Sequence, residues 1–235
     1  MTPPPSIAPA PAHREGAGFI AAYPELWGRY LCLDLVNSLE TDSRGSGQIF
    51  DWLPKPGWRS EFLESWDLSL DDPEEPVPMA ALTELRSLVR PLVEAWGRGS
   101  GPDDRDVQTL RTLIGLAPIT RGLISGSAGY EVEIRPLTRN WCWVMAEIAV
   151  SVIKLLNEGN PDHLKVCRNP DCSWLFYDET LNHSRRWCSA RACGNLLKVR
   201  RFRAQRKGRR KREGAASASA AGRSPERSAG VSSPS

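Results

Sequence analysis

The stretch CRNPDCSWLFYDETLNHSRRWCSARACGN, residues 167–195, decides how the chain is read. It holds four of the six cysteines, Cys167, Cys172, Cys188 and Cys193, in the spacing C-x4-C-x15-C-x4-C. Two close pairs separated by a longer segment form a four-thiolate metal site: each tight turn supplies two ligands, and the chain between folds back to join them. Zn2+ accepts four sulfurs tetrahedrally, and a closed set of four leaves no position for water. One structural zinc ion is therefore the expected cofactor. A redox-sensing dithiol pair is the alternative. His183, between the pairs, is a rival ligand, but four sulfurs already fill the shell, so it reads as a surface or outer group. Cys188 and Cys193 would lie about 140° apart on a straight α-helix. If both bind one ion, the chain must break near Ser189–Ala192, with the next helix starting near Cys193–Asn195. Replacing Cys172 or Cys188 by Ser is expected to unfold residues 167–203 and leave the body intact.

Past the cysteines the chain turns basic. The net charge of +3 hides an asymmetry: residues 1–164 hold 14 Lys and Arg against 23 Asp and Glu, whereas 165–213 hold 15 against 4. An acidic body joined to a basic end points to an anionic partner for that end. Leu196, Val199 and Phe202 form a stripe able to dock, with Lys198, Arg200, Arg201 and Arg203 in other directions. From Arg206 through Lys207, Arg209, Arg210 and Arg212 there is no stripe. Order there is expected only along a polyanion, and a helix so charged suits a phosphate backbone. Arg185 and Arg186 are candidate contacts from the cysteine module itself. Trp174, Phe176 and Tyr177 lie on a predicted strand and read as packing; stacking on unpaired RNA bases is the alternative.

Upstream, the pattern predicts mainly helices. YPELWGRYLCLDLVNSLETD, residues 23–42, reads as one helix. Residues 41–58 read as a loop with a short strand at Gln48–Trp52, followed by a short helix at Ser60–Trp66. Helices follow at 79–97, where Pro91 inside the pattern is expected to kink the helix, and at Asp103–Leu116. RGLISG and GYEVEIRPL make a hairpin around Ser127 and Gly129, and a fourth long helix covers 138–157. Asp34 and Asn37, polar residues in an apolar helical stretch, are candidates to line a ligand pocket. Cys32 and Cys142 read as buried thiols, and the nine Trp as core. No catalytic motif stands out, so the chain is read as a non-enzyme. Residues 1–18 lack the n- and h-regions of a secretion signal, and no apolar run reaches the roughly 20 residues of a membrane helix. The reading is a cytoplasmic protein without a membrane partner.

The fold class expected is mainly α (α+β): a helical N-terminal domain with a β-hairpin, then a small four-cysteine zinc finger and a basic C-terminal helix. The division is a disordered leader at 1–18, the helical domain at 19–160, the finger and basic helix at 161–212, and a disordered tail at 213–235.

CRNPDC, the DET and SRRWCS segments and CGN together resemble the CGNR zinc finger of bacterial proteins. LCLDLVNSLE is similar to the motif opening the ABATE domain that usually precedes that finger. The likeness covers roughly 25–210. It implies a stress-induced transcription regulator, nucleoid-associated in a bacterial cytoplasm, whose finger binds DNA. It also implies that the four cysteines are zinc ligands and that Arg185, Arg186 and Trp187 match the family's RRWC segment. The family motif ends in Arg, where this chain has Leu196. The functional expectation is a zinc-dependent DNA-binding regulator whose N-terminal domain senses a small molecule or a protein. An RNA-binding protein and a zinc-stapled adapter are the alternatives.

Overall fold

The structure, a computed structural model, describes residues 29–126 and 129–221. The leader at 1–18, the hairpin turn at Ser127 and residues 222–235 lie outside them. The chain forms two compact units, one running to Cys193 and the other starting at Gly194. The fold is mainly helical with small strand pairs, as the sequence pattern predicts.

The first unit is built around α5 (Trp141–Glu158), whose Val144, Ile148, Ala149, Val152 and Leu155 are fully buried. Asn140 caps it, its side-chain oxygen accepting from the Trp143 amide at 3.0 Å. Against α5 lie α1 (Leu31–Asn37), α3 (Met79–Gly97) and α4 (Asp104–Gly115). The sequence DDRD starts α4 through a reciprocal capping box between Asp103 and Asp106, which satisfies two otherwise orphaned amides. Helix α3 covers the expected 79–97 with Pro91 inside it, presenting Leu82, Leu85, Val89, Leu92 and Val93 to the core.

Helix α1 corrects the reading of one long first helix. Within the described residues it is seven residues long and every one is buried. It ends at Ser38, whose hydroxyl donates to the Leu35 carbonyl at 2.6 Å. The chain then becomes β1 (Leu39–Thr41), paired antiparallel with β2 (Ile49–Asp51) in the register Leu39↔Asp51. The apolar stripe ends at Val36, and past it residues 39–41 pair with IFD instead of continuing the helix. After β2 comes α2 (Pro56–Ser65), which buries Trp58 and Phe62.

Strands β3 (Ile119–Gly126) and β4 (Gly129–Pro136) form the expected hairpin. After α5, β5 (Leu164–Val166) pairs with β6 (Leu175–Tyr177). The compact body therefore continues past residue 160 and includes all four clustered cysteines. The second unit is α6 (Asn195–Ala221). It extends nine residues beyond the expected end at Arg212. Lys, Arg and Ala are strong helix formers, and Arg209 pairs with Glu213 one turn on at 3.3 Å.

Candidate metal centre and basic helix

Each cysteine pair is presented by a turn built from local polar groups. In the first pair, the Cys172 amide donates to the Asn169 carbonyl at 2.9 Å, closing the turn. Asn169 is buried, and its side-chain amide donates to the Ser43 carbonyl at 2.8 Å and to Cys193 Sγ at 3.4 Å. Cys167 is held by its own amide, which donates to the Trp174 carbonyl at 2.9 Å. In the second pair, Ser189 Oγ accepts from the amides of Arg191 and Ala192. The chain then takes a π-helical turn over Ala190–Gly194 before α6 begins at Asn195. This is the expected break. Cys188 precedes the π turn and Cys193 lies within it, so the two are not set on one regular α-helix and their sulfurs meet at 3.6 Å.

The four sulfurs lie within 4.8 Å of one another, and all four residues are buried. Cys172 and Cys188 are 3.9 Å apart at Sγ, and Cys188 and Cys193 are 3.6 Å apart. A tetrahedral site with Zn–S bonds of about 2.3 Å has sulfur–sulfur edges of about 3.8 Å. The thiols match that size. The Cys188 backbone amide also donates to Cys167 Sγ at 3.4 Å, so two sulfurs receive an N–H, one from the Asn169 side chain and one from the backbone of the turn. Sulfur–sulfur hydrogen bonds, first from Cys167, push Cys172 and Cys188 above the ordinary thiol range, with burial adding to the rise. The bonds from Cys172, Cys188 and Cys193 hold Cys167 below it. A divalent cation replaces those shared protons. The donor set, spacing and closure fit one structural zinc ion held by Cys167, Cys172, Cys188 and Cys193.

His183 stands outside this set. Its Nδ1 lies 3.0 Å from the Asp178 carbonyl, and its ring stacks on His163 at 3.6 Å. Cys32 is fully buried, and burial pushes its thiol up to about 12, as expected of an inert core cysteine.

Asp178 organises the segment between the pairs. It is fully buried, and its carboxylate accepts from Lys165 Nζ at 2.5 Å, Thr180 Oγ1 at 2.6 Å, and the amides of Thr180 and Arg185 at 3.1 and 2.8 Å. Burial alone would raise its pKa. The Lys165 and Thr180 hydrogen bonds outweigh burial and hold it well below the usual carboxylate range. Arg185, expected to meet nucleic acid, is occupied inside the module. Its guanidinium donates to the carbonyls of Trp187 and Cys188 and sits 4.5 Å above the Phe176 ring. Arg186 beside it is exposed.

Asp34 and Asn37, expected to line a ligand pocket, are both buried and hydrogen-bonded to other parts of the chain. The Trp66 indole donates to Asp34 at 2.9 Å. Asn37 behaves as an added strand residue: its side chain donates to the Leu175 carbonyl at 2.8 Å and accepts from the Leu175 amide at 2.9 Å. Next to it, Glu40 accepts from the indoles of Trp52 and Trp174 at 2.8 and 2.5 Å. Arg90 donates to the Ser173 carbonyl at 2.7 Å. These contacts tie the cysteine module to the helical body. A buried Asn in LDLVNS was a visible signal that a partner exists, but the partner is 138 residues away.

On α6, Lys198, Arg201, Arg203, Arg206, Lys207 and Arg209 are exposed, while Arg200 is half-buried. The side chain of Arg210 lies outside the described residues. Val199 and Phe202, expected to dock, are exposed, and the Arg206 guanidinium lies 5.8 Å from the Phe202 ring.

A mainly helical body carrying a four-cysteine zinc module defines the class: a zinc-finger protein. The model of the ABATE family, described as "Putative stress-induced transcription regulator", matches residues 30–159, and that of the CGNR zinc finger matches 163–206. The first match alone covers more than half of the chain, and the protein belongs to the ABATE family with a CGNR zinc finger. No curated protein matches it. These families are described as regulators and zinc fingers, not as enzymes. No helix among the described residues is long and apolar enough to cross a membrane.

Proposed function

We propose that this protein is a zinc-dependent DNA-binding transcription regulator acting in the bacterial cytoplasm. Its DNA contacts come from Arg186 in the finger and from the cations of α6. The observation that carries this reading is α6 itself: six described Lys and Arg side chains between Lys198 and Arg209 are exposed. Such a surface neutralises backbone phosphates and releases their counterions. RNA recognition by stacking is disfavoured because Trp174 and Phe176 are buried in the module, and Tyr177 uses its hydroxyl to accept from the Asn160 amide at 2.8 Å. Arg185 holds carbonyls at the zinc turn, so its part in binding is to position the module. Arg210 and Arg200 extend the same cationic helix.

The body would receive the effector. A groove of about 750 Å3 beside α2 is lined by apolar Leu63, Leu68 and Trp141 and by charges of both signs, Arg59 with Glu64, Asp67 and Glu74. It offers a seat for an effector with an apolar body, whose arrival would change Trp141 fluorescence. An effector that alters DNA affinity without touching that groove would place the sensor elsewhere.

The test of DNA binding is a titration of the zinc-loaded full chain against duplex DNA at several salt concentrations. With about six phosphates engaged, affinity falls on the order of 1000-fold from 50 to 200 mM salt. Single-stranded RNA that outcompetes the duplex would turn the reading to RNA. Absence of binding to either nucleic acid at 50 mM salt would turn it to a protein adapter.

A further inference from the structure

The hairpin β3–β4 has an apolar face that nothing in the described chain covers. Both residues of a cross-strand pair point to the same side of a sheet, and pairs alternate between sides. The register places Ile119↔Pro136, Arg121↔Ile134, Leu123↔Val132 and Ser125↔Tyr130 on one side. It places Thr120↔Arg135, Gly122↔Glu133 and Ile124↔Glu131 on the other. The first side is thus apolar with one charge, and the second is mostly polar. In a folded sheet the apolar side is the buried one. Here Ile119, Leu123, Tyr130, Val132 and Ile134 are 60% to 78% exposed, and the two strands pair only with each other among the described residues.

Two magnitudes argue against leaving this face bare. A lone two-stranded hairpin is marginal in water. With about 150 Å2 for each aliphatic side chain and about 200 Å2 for Tyr130, the five exposures amount to roughly 550 Å2, at the top of the roughly 300–600 Å2 of the largest patch on a typical monomer. Two such faces together bury about 1100 Å2, above the roughly 1000 Å2 that a specific interface clears. We infer that this face is a homodimer interface, in which the hairpins of two copies pack apolar face to apolar face about a two-fold axis. A second copy fits better than an unrelated partner. The face carries only Arg121 as a charge, so it asks for no complementary charge pattern, and an isologous contact covers both faces at once and closes. Two stacked hairpins sit about 10 Å apart, the ordinary spacing of packed sheets. The inference stands on the hairpin alone and is independent of DNA binding.

The test is sedimentation velocity of the full chain from about 1 to 100 µM. The wild type is expected at twice its 26.1 kDa chain mass. The double variant Leu123→Glu/Val132→Glu is expected to raise the dimer Kd by at least about 100-fold with an unchanged circular-dichroism spectrum. Thr120→Glu, on the polar side, is expected to leave the dimer intact. Amide exchange over 119–136 in the wild type should slow as concentration rises through the dimer Kd, which reads the interface without any substitution. A wild type monomeric throughout, whether the face is bare or takes a different partner, overturns the proposal. So does a double variant that dimerises as well as wild type, or hairpin exchange that does not respond to concentration.

Discussion

Asn37 shows how much one buried side chain decides. Its amide satisfies both the N–H and the C=O of Leu175, in the strand that follows the first cysteine pair. Leaving a buried donor and a buried acceptor without partners costs about 1–3 kcal/mol each. Asn37→Leu should therefore lower stability by about 2–6 kcal/mol, read from the midpoint of urea unfolding; a change under about 0.5 kcal/mol would mean the clamp contributes little. Arg86 is the other residue-scale anchor. It is buried and bonds Asp51 through both terminal nitrogens, at 2.6 and 2.8 Å. The Arg86 hydrogen bonds hold the Asp51 carboxyl below its ordinary value. A depressed carboxylate stabilises the fold fully above its unfolded pKa of about 3.9 and loses that contribution as pH falls through the folded value. Stability should thus decline below about pH 4, and less so in Asp51→Asn. That variant should cost about 2 kcal/mol at neutral pH, below the 3–5 kcal/mol of a fully buried pair because solvent screens the half-exposed Asp51. Equal acid sensitivity of variant and wild type would remove Asp51 from the account.

At the scale of elements, the zinc turn was the most legible part of the sequence. Metal chemistry demands cysteines at close spacing, and the geometric conflict between Cys188 and Cys193 forces a break whatever the rest of the fold does. The structure resolves it with the π turn at Ala190–Gly194. The role of Asn169 was not legible, because its partners, the Ser43 carbonyl and Cys193 Sγ, are brought near only by folding; Arg185 turns back on the local carbonyls of Trp187 and Cys188, which its basic residue type does not announce. Helix α1 was overread for a related reason: an apolar stripe that ends at Val36 says nothing of the IFD strand that residues 39–41 pair with. The expectation that the module would unfold alone is also revised. Asn37, Glu40 and Arg90 bond directly to residues 173–175, so loss of zinc reaches the body. Cys172→Ser, or a strong chelator, should lower the thermal midpoint of the whole first unit, with faster amide exchange in α1 as well as in 167–193. Exchange that speeds up in 167–193 while α1 keeps its wild-type protection would show the module to be thermally separate.

At the scale of the molecule, composition already separated an acidic body from a basic end, and that division coincides with no simple split of core and tail. The cysteines belong to the compact body, while ten of the 15 Lys and Arg of residues 165–213 lie on α6. The proposed zinc site therefore lies in the body, and the proposed DNA contacts are Arg186 within it and the cations of α6. The most direct measurement is fluorescence anisotropy of a labelled duplex with wild type and with Arg206→Ala/Lys207→Ala/Arg209→Ala, repeated at four salt concentrations. The triple variant keeps every zinc ligand and every core residue. The account predicts steep salt dependence for wild type, with log K against log salt losing about 0.9 per phosphate contact, so that the triple variant has a slope shallower by about 2.7. Duplex binding that is absent at 50 mM salt, or a variant with the wild-type affinity and slope, would contradict it.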